Sequence, residues 1–258
     1  SHTENLLWSD ELNGTSLDTA KWSFDTSRNK VDRINGELQY YAANRPENLR
    51  LQNNHLIIEL RKDPKQLSKL PDWGKQKYSS AKIVTKDKVA FNAGFIEVSA
   101  KLPCARGTWP AIWMLPQGDA QWPDGGEIDI LEQWGSQPNV AHATLHTALF
   151  NHTRQNGRGA EMRVPTACSA FHRYQLAWTV DSITMGVDDH AYMRVKNDQP
   201  GGRGAWPFDS PFYLILNLAM GGDWAAAKGI DDAALPQRME VDYVRVWEMP
   251  DQQPQATQ

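Results

Sequence analysis

Apolar and polar residues alternate in short runs along most of the chain, and the runs stop at Gly, Pro, Asn or Asp. Leu56, Ile58 and Leu60 form one run, and Tyr174, Leu176, Trp178 and Val180 alternate with Arg173, Gln175 and Thr179. Ile183, Met185 and Val187 lead to a turn at Asp188-Asp189, after which the pattern resumes through Ala191, Met193 and Val195. Phe212, Leu214, Leu216 and Leu218 give a further strand, and Val241 to Trp247 the last. Side chains in a strand point to opposite faces in turn, so each run predicts a strand with one buried face. Many short strands spaced by turn residues predict an all-β sandwich or barrel. The only helix-like stretch, Trp224 to Lys228, is cut short by Gly229. No internal repeat interrupts residues 1–249, which read as one domain; the Pro/Gln-rich, almost uncharged segment 250–258 reads as a disordered tail or linker remnant.

One strand departs from this pattern. In Gly126-Glu127-Ile128-Asp129-Ile130-Leu131-Glu132, Glu127 and Asp129 share a face while Ile128 and Ile130 point to the core. Strict alternation sends Glu132 into the core, and a β-bulge at Ile130 or Leu131 returns it to the side of Glu127. A solvated polar edge is the ordinary explanation for alternating acids. Here, however, three like charges repel along one face, the residue types are poor strand formers, and the flanking residues are Trp122 and Trp134 rather than Lys or Arg. Glycoside hydrolysis needs such a cluster, because it uses one ionised carboxylate and one protonated carboxyl held close together. A hard cation also favours carboxylates, but the three acids have no supporting Asn or His nearby in sequence.

Composition narrows the partners. The chain has 258 residues and a formal net charge of −4, which gives no basic surface for nucleic acid or an anionic membrane. No apolar run has the length of a membrane span. Tryptophan is in excess, 11 residues against 7 Tyr and 7 Phe, which suits either a large aromatic core or indoles that stack on sugar rings. Cys104 and Cys168 lack metal-ligand spacing and are either two buried thiols or one bridge.

The carboxylate motif resembles the Glu-x-Asp-x-x-Glu strand of glycoside hydrolase family 16, in its laminarinase-like endo-β-1,3-glucanase branch. Further matches, in the family's order, are Trp8-Ser9-Asp10-Glu11-Leu12, Gly36-Glu37-Leu38-Gln39-Tyr40-Tyr41, Gly107 to Leu115, Leu216 to Gly222 and Val241 to Val246. The resemblance implies a β-jelly-roll sandwich of two antiparallel sheets, one of them concave and forming the substrate cleft. It also implies retaining, endo-acting cleavage of β-1,3-glucan, with Glu127 as nucleophile, Glu132 as acid and base, and Asp129 between them. Trp109, Trp113 and Trp122 then supply stacking surfaces, while Asn35, His146 and Asn217 supply hydrogen bonds to hydroxyls. Four of them have an alternative: Trp109 and Trp113 as core residues, His146 as a structural or surface histidine, Asn217 as the partner of a neighbouring loop.

The resemblance requires no catalytic cofactor. It implies a structural Ca²⁺ on the convex side, held through backbone oxygens and one Asp, at positions matching Glu11, His55 and Asp242; His55 stands where relatives carry Gly. Lys82 replaces a common Arg, keeping the charge and losing the planar fork. The expected partner is a polysaccharide, for a monomeric protein that is secreted or periplasmic. Two rivals remain: a non-catalytic glucan-binding protein, which the three acids argue against, and the same chemistry on mixed-linkage glucan or another β-linked polysaccharide. A sulfated galactan calls for a basic cleft, and no Arg/Lys cluster surrounds the motif in sequence.

Overall fold

The computed structural model describes residues 5–30 and 34–250; the tail beyond residue 250 lies outside the described residues. In chain order the first strands are β1 (Leu6–Asp10), β2 (Ser23–Phe24), β3 (Gln39–Tyr41), β4 (Leu49–Gln52), β5 (His55–Lys62), β6 (Tyr78–Ser80), β7 (Lys82–Val84) and β8 (Gly94–Lys101). There follow β9 (Thr108–Pro116), β10 (Glu127–Glu132), β11 (Val140–His146), β12 (Arg158–Arg163), β13 (His172–Trp178), β14 (Ser182–Val187), β15 (His190–Lys196), β16 (Phe212–Met220) and β17 (Gln237–Trp247). One sheet runs β15-β14-β13-β8-β17-β5-β6-β3, with β1 on β17 and β4 on β5; the other runs β12-β11-β10-β9-β16-β7-β2. This is the all-β, two-sheet jelly roll expected. Among the described residues, one strand pair departs from antiparallel order: β3 and β6 pair in parallel, Gln39 with Tyr78 through Tyr41 with Ser80. Parallel neighbours need a long crossover, and the segment holding β4, β5 and the single helical turn α1 (Pro64–Leu67) supplies it. Trp224 to Lys228 forms turns rather than a helix. No helix of the described residues is long and apolar enough to cross a membrane.

The alternating runs meet between the sheets. Ile112, Met114, Ile128, Ala143, Leu145, Leu214, Leu216 and Leu218 pack from one side against Leu56, Ile58, Leu60, Ile96, Val98, Leu176, Trp178 and Val246 from the other. Each Leu, Ile, Val or Met among them contributes about 1.5–3 kcal/mol by leaving water. That burial uses up one face of the smaller sheet and leaves its other face for the cleft. Two positions read as buried are not. Val180 is 55% exposed, because β13 ends at Trp178 and Thr179 Oγ1 accepts from the amides of Asp181 and Ser182 to close a turn. Ala191 is exposed because the β14–β15 register slips between Met185 and Gly186. The hairpin turn itself forms at Asp188 and Asp189, with φ of 51° and 70°, the left-handed pair that such turns favour.

Cys104 and Cys168 form one disulfide, with Cα atoms 5.8 Å apart, tying the chain ahead of β9 to the chain ahead of β13. Arg245 takes both oxygens of Glu11, at 2.6 and 3.0 Å, so a guanidinium already neutralises that carboxylate. The His55 ring packs against Phe171 at 4.7 Å, and Asp242 lies at the register shift between Val241 and Tyr243. These contacts engage the side chains of Glu11 and His55, whereas the expected Ca²⁺ was to be held through backbone oxygens and one Asp. Among the described residues, the one group of acids and histidines close enough to share a metal is Glu127, Asp129 and His146.

Candidate active site

Gly126 delivers the chain into β10 at φ +88°, and a Cβ there would meet Pro207 Cγ at 2.6 Å, so only glycine fits. Against β11, Asp129 pairs with Thr144 and Glu132 with His142, leaving Ile130 and Leu131 opposite a single residue. Against β9 the register jumps from Asp129↔Trp113 to Leu131↔Ile112, so Ile130 is the extra residue. Ile130 and Leu131 are both buried in the core, and Glu127, Asp129 and Glu132 share the outer face. The expected bulge is present, and it does what the expectation required of it.

The cleft holds about 960 Å³ and crosses the strands of the smaller sheet. Two indoles reach the carboxylates from opposite ends of β10. Trp122 Nε1 donates to Glu127 Oε1 at 3.0 Å, and Trp109 Nε1 donates to Glu132 Oε2 at 2.9 Å. On β11, His146 places Nε2 3.2 Å from Asp129 Oδ2 and 3.8 Å from Glu127 Oε2. Trp113 lies on the same face of β9 as Trp109, with Lys82 Nζ over its ring at 5.3 Å. Asn217 is buried, and its amide partners are protein groups: its Oδ1 accepts from Trp113 Nε1 at 2.7 Å, and its Nδ2 donates to the Tyr41 hydroxyl at 3.0 Å. Asn35 lines the cleft at φ 61°, and its carbonyl accepts from the Asp223 amide. Every proposed catalytic and sugar-binding residue therefore lies in one cleft.

Burial and mutual repulsion push all three carboxyls up. Glu127 and Asp129 stand well above the ordinary range, and Glu132 is raised to about 7. Desolvation is the leading cause in each, followed by Asp129 acting on Glu127, Glu132 on Asp129 and Glu127 on Glu132. Three charges packed this closely cannot all ionise, so the cluster keeps at least one proton at neutral pH. Trp122 and His146 act the other way on Glu127, favouring its charged form, as Trp109 does for Glu132. Burial lowers His146, while the neighbouring Glu127 acts the other way and favours its charged form.

Other cleft residues escaped the sequence reading. Glu37, Gln39 and Tyr41 face the cleft together, a period-two signal inside a segment read only for its resemblance. His152 opens a short 3-10 turn and Trp224 lies in a turn, where no periodicity marks them. Arg28, Lys82 and Lys86 line one end of the cleft, so a basic group exists that the sequence around the motif did not reveal, although Asp25 already pairs with Lys82 at 3.2 Å.

Trp122 is 40% exposed on the cleft wall. Trp122→Ala is expected to weaken glucan-oligosaccharide binding by about 1–3 kcal/mol and to leave the melting temperature nearly unchanged. A large drop in melting temperature with intact affinity, measured by thermal melts beside titration calorimetry, would contradict this.

The fold and this cluster have known counterparts. The family model for glycosyl hydrolases family 16 matches residues 36–245. The chain is 44% identical to the beta-glucanase of Rhodothermus marinus over 94% of its own length and 84% of that protein's. A solved structure of SCLam, a non-specific endo-β-1,3(4)-glucanase with a glucan oligosaccharide at its active site, superposes with a TM-score of 0.92 at 47% identity, covering 96% of both chains. The laminarinase structure from Rhodothermus marinus gives 0.87 at 43% identity, over 95% of this chain and 97% of that one. A two-sheet sandwich, a bulged strand of three acids and a match over most of the length have one reading: the chain belongs to glycosyl hydrolases family 16.

Proposed function

We propose that the protein cleaves internal β-1,3 linkages of laminarin-type glucan with retention of configuration. The observation that carries this reading is the bulged strand itself, which turns Glu127, Asp129 and Glu132 to one cleft face and leaves an indole N–H on each glutamate. In the proposed reaction Glu127 attacks the anomeric carbon and forms a glycosyl ester. Glu132, protonated up to about pH 7, gives its proton to the departing glycosidic oxygen. Glu132 then takes a proton from water, which attacks the ester and frees Glu127. Asp129 carries the remaining proton between them, so that Glu127 can ionise. The disulfide supports an oxidising location, secreted or periplasmic.

The test is digestion of laminarin and lichenan, following reducing ends, product lengths and anomeric configuration by proton NMR. Short oligosaccharides with the β-anomer formed first, and laminarin cut faster, are expected. Glucose alone from the outset would sink the endo reading, and the α-anomer first would sink retention. Similarity to an enzyme described as non-specific for β-1,3(4) linkages favours a second, broader reading, and equal rates on both glucans would support it.

A further inference from the structure

The two banks of the cleft each carry an exposed indole. Trp122 precedes β10, at the Glu127 end. Trp224 follows β16, which runs alongside β10 in the same direction because both pair antiparallel with β9. It therefore stands at the Glu132 end, where its ring meets Trp109 at 5.9 Å and Trp134 at 6.1 Å. The imidazole of His152 sits between the banks. Its centroid is 5.1 Å from Trp122 and 5.8 Å from Trp224, and it lies edge-on to His146 at 5.3 Å. His146 is the residue that touches Asp129, so His152 stands one ring away from the carboxylates.

The backbone beneath His152 is pinned, while its ring is not. Asn151 is buried; its Oδ1 accepts from the amides of Thr153 and Arg154, and its Nδ2 donates to the Thr147 carbonyl at 2.9 Å. The imidazole remains exposed on its outer side and is held by ring contacts. A pyranose presents apolar C–H faces that leave water on packing against an indole. Rotation of the His152 side chain alone would free that volume between the two indoles.

We propose that His152 is a displaceable plug, its imidazole filling the place of a sugar ring between Trp122 and Trp224, so that a chain bound across the carboxylates must first expel it. This rests on the β-glucan reading. A site open only part of the time binds more weakly in proportion to its open fraction, so His152 sets the affinity for long chains without touching the reacting atoms.

The experiment measures laminarihexaose affinity by calorimetry in a Glu127→Gln parent. Adding His152→Ala is expected to tighten binding roughly threefold to tenfold at an unchanged melting temperature. His152→Phe, which keeps a ring in place, is expected to give no such gain, and Trp224→Ala added to His152→Ala is expected to remove it. Unchanged affinity in His152→Ala, or an equal gain in His152→Phe, overturns the plug. Absence of binding by the parent overturns the glucan reading and the plug together, whereas binding without tightening overturns the plug alone.

Discussion

Glu127→Gln is expected to lower glucan hydrolysis by on the order of 10⁴-fold, as loss of a nucleophile that works with its neighbours as a unit does elsewhere, while the protein stays folded. The amide oxygen still accepts from Trp122 Nε1, which now bonds Glu127 at 3.0 Å. The substitution also removes a buried carboxyl whose charge desolvation and then Asp129 oppose, so the melting temperature should hold or rise. Steady-state rates on laminarin beside a thermal melt separate the outcomes. Near-normal turnover would refute the nucleophile assignment, and a collapse in melting temperature would make Glu127 a structural residue.

Glu132→Ala is expected to be inactive on laminarin, because a sugar leaving group needs its proton. It should regain turnover on an activated aryl glycoside when azide is supplied, since that leaving group needs no acid and azide attacks the ester without a base. Failure of rescue in a folded variant would count against the role. The pH dependence follows from the same group. Glu132 is raised to about 7, so as an acid it fixes an alkaline limb: kcat/KM should fall as pH rises through about 7, and that limb should vanish for the aryl glycoside. Stability carries the same sign. The folded state holds a proton on Glu132 that the unfolded chain releases near pH 4.5, so stability contributed by this group is full below that pH. It is lost as pH rises through about 7.

The parts of this design that depend on period two were legible in the sequence. Leu214, Leu216 and Leu218 declared a buried face, and the face left over on the neighbouring β9 and β10 carries Trp109, Trp113 and the acids. The bulge was legible because three acids two and three residues apart cannot otherwise share a face. What the residues alone could not convey was contact between distant segments. Asn217 interrupts an apolar run, but only the fold brings Tyr41 and Trp113 to its amide. Glu11 matched a family position, and nothing near it in sequence announced that Arg245 would claim its carboxylate. His152 and Trp224 belong to turns whose direction is set by Asn151 and by Gly222, where a Cβ would strike Trp109 at 2.9 Å.

The extra residue at Ile130 also bears on how this strand could change length over descent. Losing Ile130 in one deletion would leave Glu127, Asp129 and Glu132 at strict two-residue intervals, still on one face, with both neighbouring strands able to keep their pairing. Losing Ile128 instead would make two acids adjacent and turn one of them into the core. A shortened, bulge-free motif is thus one deletion from this sequence, and either residue of the bulge, Ile130 or Leu131, can be the one lost without turning an acid into the core.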